Sequence, residues 1–314
     1  MSENAQTPYR APDIPRNRTP HSKTSVLAIV SLVLGIASLF CLIFTGIPAI
    51  ILGIIAYLKT SKSNGYVKGG GLAIGGIVTG ALGCLLSVVV IVPAISAVSA
   101  AAQQTETRNK IKQMGLACLN YESGHARFPS NISRENPEGG LSWRVHILPF
   151  LSEEGKQIHA QFHLDEPWDS PHNKTLIPLI PQTYQHSKIQ AQLPEGHTVF
   201  QMPTSEPSEM KPAAILVEGE QGATFGSVSD GSSNTILLIE TDAQSAVPWT
   251  KPMDWRFDPD NPKRNLGNHF PSGTSFGRCD GSTSVLDIKT VPDEIVKALF
   301  TRSGGEVVMD PSRY

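Results

Sequence analysis

The segment DEPWDSPHN, residues 165–173, brings three carboxylates and a histidine within eight residues. They are Asp165, Glu166, Asp169 and His172. Carboxylate oxygens and imidazole nitrogens are metal ligands, so one interpretation is a metal site. The alternative, which we favour, is that the polar side chains satisfy local backbone groups around two prolines while Trp168 packs inward. We therefore expect no metal or cofactor, and keep Trp168, Asp169 and His172 as candidate contacts for a ligand or partner.

The segment VPWTKP, residues 247–252, places an aromatic ring and a cation between two prolines. An exposed Trp249 beside Lys251 on such a rigid loop could bind a glycan or a partner. The competing interpretation is that Trp249 closes the core. Both residues remain candidate contacts, and the core interpretation is favoured.

Two further patterns resemble catalytic or metal motifs. Residues 273–277 read G-T-S-F-G, the G-x-S-x-G pattern of hydrolase elbows, which needs a strand before the serine and a helix after it. A turn and a strand follow instead, so we do not predict a nucleophilic Ser275. Asp230 with its following serines resembles a calcium loop but lacks the closing glutamate, so we predict a turn. Catalytic residues are therefore expected to be absent.

Composition narrows the class of protein. The chain has 314 residues, a net charge of −2 and only 17% charged residues. Soluble domains usually carry about 25% charged residues. The balance argues against a nucleic-acid partner and against a wholly disordered chain.

The low charged fraction comes from two long runs without any charged side chain, residues 25–58 and 69–105. Each exceeds the roughly 20 apolar residues of a membrane helix. Residues 1–24, rich in Pro, Asn and Arg, are typical of a disordered basic tail. We predict a tail over 1–24, a membrane domain over 25–102 and a soluble domain over 103–314, with the lipid bilayer as one partner.

The number of crossings is left open by the first run. Its interruption at Gly46 and Pro48 fits either one kinked helix or a tight hairpin. The tail and the connector 59–68 are both basic, and cytoplasmic segments near membrane spans are enriched in Lys and Arg. We favour a hairpin, which gives a multi-pass protein with a cytoplasmic tail and an extracytoplasmic C-terminal domain. Glycine spacing in the second run favours packing within this helical bundle.

The second run continues into a periodic helix. Four residues fall on one helical face, namely Ile111, Met114, Cys118 and Tyr121. Gly124 and Pro129 are expected to end the helix. Short apolar runs at 213–218, 234–241 and 283–288 predict strands, and a C-terminal helix should run from Pro292 to near Phe300. The predicted fold is α+β, with one long helix packed on an antiparallel sheet.

Several segments carry a family resemblance. They are NKIKQMGLACLNYESGHARFP (109–129), LSWRVHILPFL (141–151), DEPWDSPHN (165–173), SDGSSNTILLIE (229–240), VPWTKP (247–252), DGSTSVLDI (280–288) and LFTRSGGEVV (299–308). Over about 90–309 the chain resembles a planctomycete-type family, domain of unknown function 1559, also filed under solute-binding-like proteins. Residues 25–95 resemble another membrane module, domain of unknown function 4190.

The first resemblance implies a pilin-like or pseudopilin-like helix, a mostly β extracytoplasmic domain and a bacterial inner membrane. The pilin processing motif is absent: the stretch 80–92 reads GALGCLLSVVVIV and contains no glutamate. A permanently anchored, pilin-shaped protein is therefore expected rather than a filament subunit. Its expected role is binding or envelope organisation with proteins or glycans as partners. The alternatives are a solute- or glycan-binding domain, a pseudopilin secretion component and a metal-dependent hydrolase.

The cysteines leave one question open. Cys118 lies on the helix face and Cys279 precedes the Asp280 turn. An extracytoplasmic location would permit a disulfide between them. The oligomeric state is not predicted.

Overall fold

The computed structural model describes residues 70–132, 140–206 and 214–306, together with the helical positions 51, 54, 55 and 58. The predicted tail 1–24, the interruption at Gly46 and Pro48 and the connector 59–68 lie outside the described residues. The chain divides into two units, Met1–Ala94 and Ile95–Tyr314.

Nine strands and five helices of four or more residues with α-helical geometry occur in the described residues. The helices are α1 (Gly70–His125), α2 (Trp143–His146), α3 (Leu148–Leu151), α4 (Glu153–His159) and α5 (Asp293–Phe300). The strands are β1 (His197–Thr198), β2 (Phe200–Gln201), β3 (Pro203–Ser205), β4 (Leu216–Val217), β5 (Ile236–Glu240), β6 (Val247–Pro248), β7 (Trp255–Arg256), β8 (Thr274–Arg278) and β9 (Thr283–Leu286). Short 3-10 helices occupy much of 173–192.

Helix α1 changes character along its length. Within it, Val88–His125 is long and apolar enough to cross a membrane, judged by length and composition. Aliphatic side chains are exposed as far as Val98, which is 71% exposed. Further along, Ile111, Met114 and Cys118 are fully buried, as the predicted helical face requires. The helix ends at His125, next to the predicted Gly124.

The principal sheet is antiparallel, with strand order β2-β5-β8-β9. Helix α1 lies against it: a Cβ atom built on Gly277 of β8 would come within 2.8 Å of Ile111 Cγ2. Glycine at 277 therefore permits the close approach of helix and sheet. This confirms the prediction of a long helix followed by antiparallel β structure.

A second sheet departs from the prediction. Strands β4, β3 and β7 pair in parallel, in that order. Each has only two or three residues, and Pro203, which has no backbone N–H to donate, is the first residue of β3. The run predicted as a strand over 213–218 is thus reduced to Leu216–Val217, at the edge of this sheet.

The remaining sequence predictions have mixed outcomes. Helix α5 begins after Pro292 with Asp293 and Glu294 in its first turn, as predicted. The interval 141–162 contains the three short helices α2, α3 and α4, and Pro149 lies in the first turn of α3. Cys118 and Cys279 are both buried free thiols, not a disulfide. Burial raises the pKa of the Cys279 thiol, which keeps it protonated and inert.

Candidate functional site

A buried carboxylate, Asp254, fixes the loop that precedes β7. Its Oδ1 accepts hydrogen bonds from Arg144 Nη2 at 2.8 Å, Trp143 Nε1 at 2.9 Å and the Met202 amide at 3.0 Å. Its Oδ2 accepts one from Asn131 Nδ2 at 3.1 Å. Both side chains of the Arg144–Asp254 ion pair are at most 1% exposed. Four donors on a single carboxylate satisfy it fully, so Asp254 is a structural anchor.

The guanidinium of Arg144 makes two further structural hydrogen bonds besides the one to Asp254. Nε donates to the Phe200 carbonyl at 2.9 Å, and Nη1 donates to Ser142 Oγ at 2.7 Å. The Tyr184 hydroxyl donates to the Arg144 carbonyl at 2.6 Å, and burial raises the pKa of that phenol well above its usual range. These bonds link α2 to β2 and to the 3-10 segment, and they leave neither charge free to react.

Two clefts flank the segment that Asp254 holds. The first, the Trp168 cleft, encloses about 700 Å³, and its walls include Trp168, Asp169, Glu218, Glu220 and Met253. The second, the Arg264 cleft, encloses about 640 Å³, and its walls include Gln201, Trp255, Asp258 and Arg264. The two share Met253, Asp254 and Arg256. Both volumes fall in the range that small ligands occupy in proteins.

Trp168 is the predicted residue best placed to meet a ligand. It is partly buried, lines its cleft and has the Lys251 ammonium 5.5 Å from its ring centroid. The other three tryptophans each use the indole N–H internally: Trp143 to Asp254, Trp249 to Ile177 and Trp255 to Arg264. The Trp168 indole N–H, by contrast, finds no acceptor in the part of the chain that the structure describes. A ligand could therefore meet both a ring edge and a donor.

The loop that presents Trp168 is organised by Asn173, a residue that the sequence analysis passed over. The buried Asn173 side chain donates to the carbonyls of His163, Glu166 and Pro167 at 2.9–3.2 Å. Its Oδ1 accepts the His163 amide at 3.0 Å. Asn173, together with Ser170, whose hydroxyl accepts the Asn173 amide, thus satisfies local backbone groups, whereas the Asp165 and Asp169 carboxylates bond no backbone group among the described residues. The loop is held before any ligand arrives.

Asp169 and His172 do not converge on one point. Asp169 is exposed on the Trp168 cleft. His172 stacks on His163 with ring centroids 3.7 Å apart, and its Nε2 bonds to the Gln161 carbonyl at 2.7 Å. Within the described ranges, no group of three or more His, Cys, Asp or Glu side chains could hold a metal ion. His172 does not line the Trp168 cleft.

Glu166, another acid of this loop, accepts hydrogen bonds from neighbouring side chains at the protein surface. Hydrogen bonds from the Ser170 hydroxyl and then from His163 lower the pKa of the Glu166 carboxyl below its usual range. The His163 Nδ1 to Glu166 Oε1 distance is 3.0 Å. These local bonds again serve the loop and not a reaction.

Trp249 lies in the core and not on the surface. It is fully buried, and its Nε1 donates to the Ile177 carbonyl at 2.9 Å. Phe162 packs against it edge-on at 5.6 Å, and Tyr184 lies 5.8 Å away. The interpretation in which Trp249 closes the core describes its position, so of the pair only Lys251 is available near the Trp168 cleft.

Ser275 lies within strand β8 and is fully buried. A strand-to-helix elbow is absent at this place, because β8 continues through Arg278 and turns into β9. The Ser275 amide donates to Glu240 Oε1 at 2.6 Å. Among the described residues its hydroxyl has no hydrogen-bond partner, and no base reaches it. The G-T-S-F-G pattern thus encodes a strand.

The neighbouring His186–Glu240 pair was missed by the sequence analysis, since 54 residues separate its members. His186 Nε2 lies 3.0 Å from Glu240 Oε2, and neither side chain is exposed. The amides of Lys188 and Ile189 donate to His186 Nδ1, so the ring is neutral and Nε2 carries its proton. Burial lowers the pKa of His186, and this outweighs the opposing effect of Glu240.

Asp230 forms a turn, as predicted. Gly231 has a φ of +98°, and the Asn234 amide donates to the Gly231 carbonyl at 2.9 Å. The Asp230 carboxylate accepts the amides of Gly304 and Gly305 at 2.7 and 2.9 Å. Asp230 therefore fastens the segment that follows α5, and its oxygens are occupied.

Comparison with known proteins gives two family matches. Residues 97–269 match a family described as a protein of unknown function (DUF1559), under the label SBP_bac_10. Residues 27–90 match a domain of unknown function (DUF4190). Both matches, and their order along the chain, confirm the predicted resemblances. No curated protein and no solved structure matches the chain.

Proposed function

We propose that this chain, which belongs to the DUF1559 family of proteins of unknown function, is a membrane-anchored binding protein that takes a solute or glycan in its Trp168 cleft. One observation carries the proposal. Trp168 is the tryptophan whose indole N–H has no acceptor within the described residues, and it lines a cleft of about 700 Å³. Aromatic rings with a polar edge suit a ligand that is apolar on one face and polar on another.

The loop geometry supports binding. Asn173 holds the loop of Trp168, and the Asp254–Arg144 pair holds the segment that carries Met253 and Arg256. A wall that is already ordered loses little conformational entropy when a ligand binds. Met253 is 49% exposed and contributes a flexible apolar surface to the same cleft.

The anchor is proposed to be multi-pass. Exposed aliphatic side chains along α1 up to Val98 and the composition of Val88–His125 support one span. The uncharged run 25–58 supports a hairpin before it. The lysines of the connector 59–68 support a cytoplasmic location for the connector and the tail, and a hairpin over 25–58 then puts the C-terminal domain on the extracytoplasmic side of a bacterial inner membrane.

The soluble domain is proposed to be pilin-like in architecture, with the second half of α1 packed on an antiparallel sheet. The close approach of Ile111 to Gly277 supports this arrangement. Its role is binding or envelope organisation, with envelope glycans or proteins and the bilayer as partners and without nucleic acid. Catalysis is not proposed, because the polar groups of Asp254, Arg144 and Asp230 are committed to structural bonds.

Binding is tested with the full-length protein in nanodiscs by isothermal titration calorimetry against a panel of saccharides and small solutes. At least one member should bind, and Trp168→Ala should weaken it at least tenfold. Phe225→Ala is the matched control, since Phe225 is also an exposed aromatic (45%) and lines neither cleft. Failure of the whole panel, or equal affinity in the Trp168→Ala protein, would overturn the proposal.

Orientation is tested by protease treatment of a C-terminally tagged protein in spheroplasts and in inside-out vesicles. Loss of the tag in spheroplasts is the expected result. Loss only in inside-out vesicles would place the C-terminal domain in the cytoplasm and contradict the hairpin over 25–58.

A further inference from the structure

We propose that the ligand of the Trp168 cleft carries a primary alkylammonium group, which lies on the Trp168 ring in the place that Lys251 occupies in the structure. This inference rests on the proposed binding function and names its ligand class. The sources of such a group include a polyamine, an amino sugar and a lysine side chain of a peptide.

The first argument is the position of Lys251. Its ammonium lies 5.5 Å from the Trp168 ring centroid, within the range of a cation–π interaction. No hydrogen bond or ion pair holds the Lys251 ammonium to any other described residue. The ring therefore already binds an alkylammonium, and the group bound there is held weakly enough to leave.

The second argument is the charge left over in the cleft. Two of its charged residues are paired: Arg256 lies 2.6 Å from Glu206, and Asp254 is neutralised by Arg144. Asp169 and Glu218 are exposed on the same cleft, and neither forms an ion pair with a described residue. Glu220 adds a third carboxylate, whose charge also acts on Arg302. The unpaired charge in the cleft is negative.

Together the ring and the carboxylates define a site for one cation. The ring face attracts positive charge through its quadrupole, and the carboxylates of Asp169 and Glu218 favour the same sign. The unpaired indole N–H can donate to a hydroxyl or carbonyl next to the amine. A ligand ammonium and Lys251 compete for one ring face, so Lys251 acts as an internal competitor. The exchange is non-covalent and moves no proton.

Because Lys251 competes with the ligand, removing its ammonium should strengthen ligand binding rather than weaken it. Lys251→Gln removes the competing ammonium and should raise the affinity for cadaverine about twofold to fivefold, the range expected for one exposed cation–π contact. Lys174→Gln is the matched control, because Lys174 is exposed and lies outside the cleft lining. Asp169→Asn should weaken cadaverine binding about threefold or more, and added salt should reduce the difference.

The probes are matched pairs that differ in the charged group. Cadaverine is compared with its diol analogue, glucosamine with glucose, and a Gly-Lys-Gly peptide with Gly-Gln-Gly, all by calorimetry on the full-length protein in nanodiscs of zwitterionic lipid. At least one amine should bind tenfold more tightly than its neutral partner, and the strongest pair identifies the source. Unchanged or weakened amine binding in the Lys251→Gln protein would overturn the inference.

The inference and the proposed function fail differently. If neutral and charged partners bind equally and both depend on Trp168, the cleft remains a binding site but the ammonium class is overturned. If no probe binds in any pair, the ammonium class is overturned, and the wider panel decides the binding function separately.

Discussion

Trp168 and Trp249 both follow a proline and both have a second proline three residues later, yet they have opposite roles. Trp249 is fully buried, and its indole N–H is bonded to the Ile177 carbonyl. Trp168 is partly exposed, with its N–H unbonded among the described residues. Local sequence does not separate them. The difference comes from distant residues, since Phe162 and Tyr184 close over Trp249, whereas Trp168 faces a cleft.

The largest expected effect is on stability at Trp249. Trp249→Ala removes a fully buried ring and should lower the free energy of unfolding by about 3–5 kcal/mol. Trp168→Ala should cost about 1–2 kcal/mol, because part of that ring already faces water. Chemical denaturation of the two full-length variants in nanodiscs measures both values. Equal losses would break the distinction between a core tryptophan and a cleft tryptophan.

The second effect concerns the buried ion pair between Asp254 and Arg144. Asp254→Asn leaves Arg144 buried without its counter-charge and should cost about 3 kcal/mol. Asp258→Asn is the matched control on the same segment, because Asp258 faces Arg264 only at 4.0 Å on the surface and should change stability by less than about 1 kcal/mol. A similar effect of the two substitutions would mean that the buried pair contributes no more than a surface pair.

The third effect is a pH dependence of folding stability that arises from the buried His186. Burial lowers the pKa of His186, so the unfolded chain binds a proton near pH 6.5 that the folded chain does not bind. Stability is therefore full above that pH and falls as the pH drops through it, by at most about 1.4 kcal/mol per unit for one proton.

Melting temperatures between pH 8 and pH 5 measure this slope. His186→Gln keeps a donor for Glu240 and should flatten the profile. A steeper profile in the His186→Gln protein would contradict the assignment.

The smallest effect lies within the cleft pair itself. A double-mutant cycle of Trp168→Leu and Lys251→Gln should give a coupling energy of about 0.5–1 kcal/mol for an exposed cation–π contact. The cycle compares the unfolding free energies of the four proteins. A coupling of zero would show that Lys251 does not rest on the ring in solution.

The parts of the fold that follow from short-range pattern were predictable. The buried face of α1, its end near Gly124, strands β5 and β9 and helix α5 all rest on periodicity or on turn and capping residues. Strand β8 was not predicted, because Gly273 and Gly277 are residues more typical of turns and loops than of strands. Gly277 is required by the approach of Ile111, a contact between residues that are far apart in sequence.

The candidate site was predictable only in part. Trp168, Asp169 and Lys251 were singled out from residue type, and the structure brings Trp168 and Lys251 into contact. The Arg144–Asp254 pair was not foreseen, because its members are 110 positions apart in the sequence and the segment 141–151, which contains Arg144, does not indicate its partner. Burial decides which polar residues face a ligand, and burial depends on contacts that a single sequence does not display.

The meshing of α1 with the β8–β9 hairpin has a mechanical consequence. Ile111 occupies the space that a side chain at Gly277 would fill, and a side chain at Gly281 would meet Leu119 at 3.1 Å and Leu116 at 3.4 Å. The helix and the hairpin thus pack closely at two points, one at Gly277 and one at Gly281. A pull along the axis of α1 is transferred to the hairpin as shear load rather than relieved by sliding. A load applied to residues 111–119 of α1 is therefore carried directly by the principal sheet.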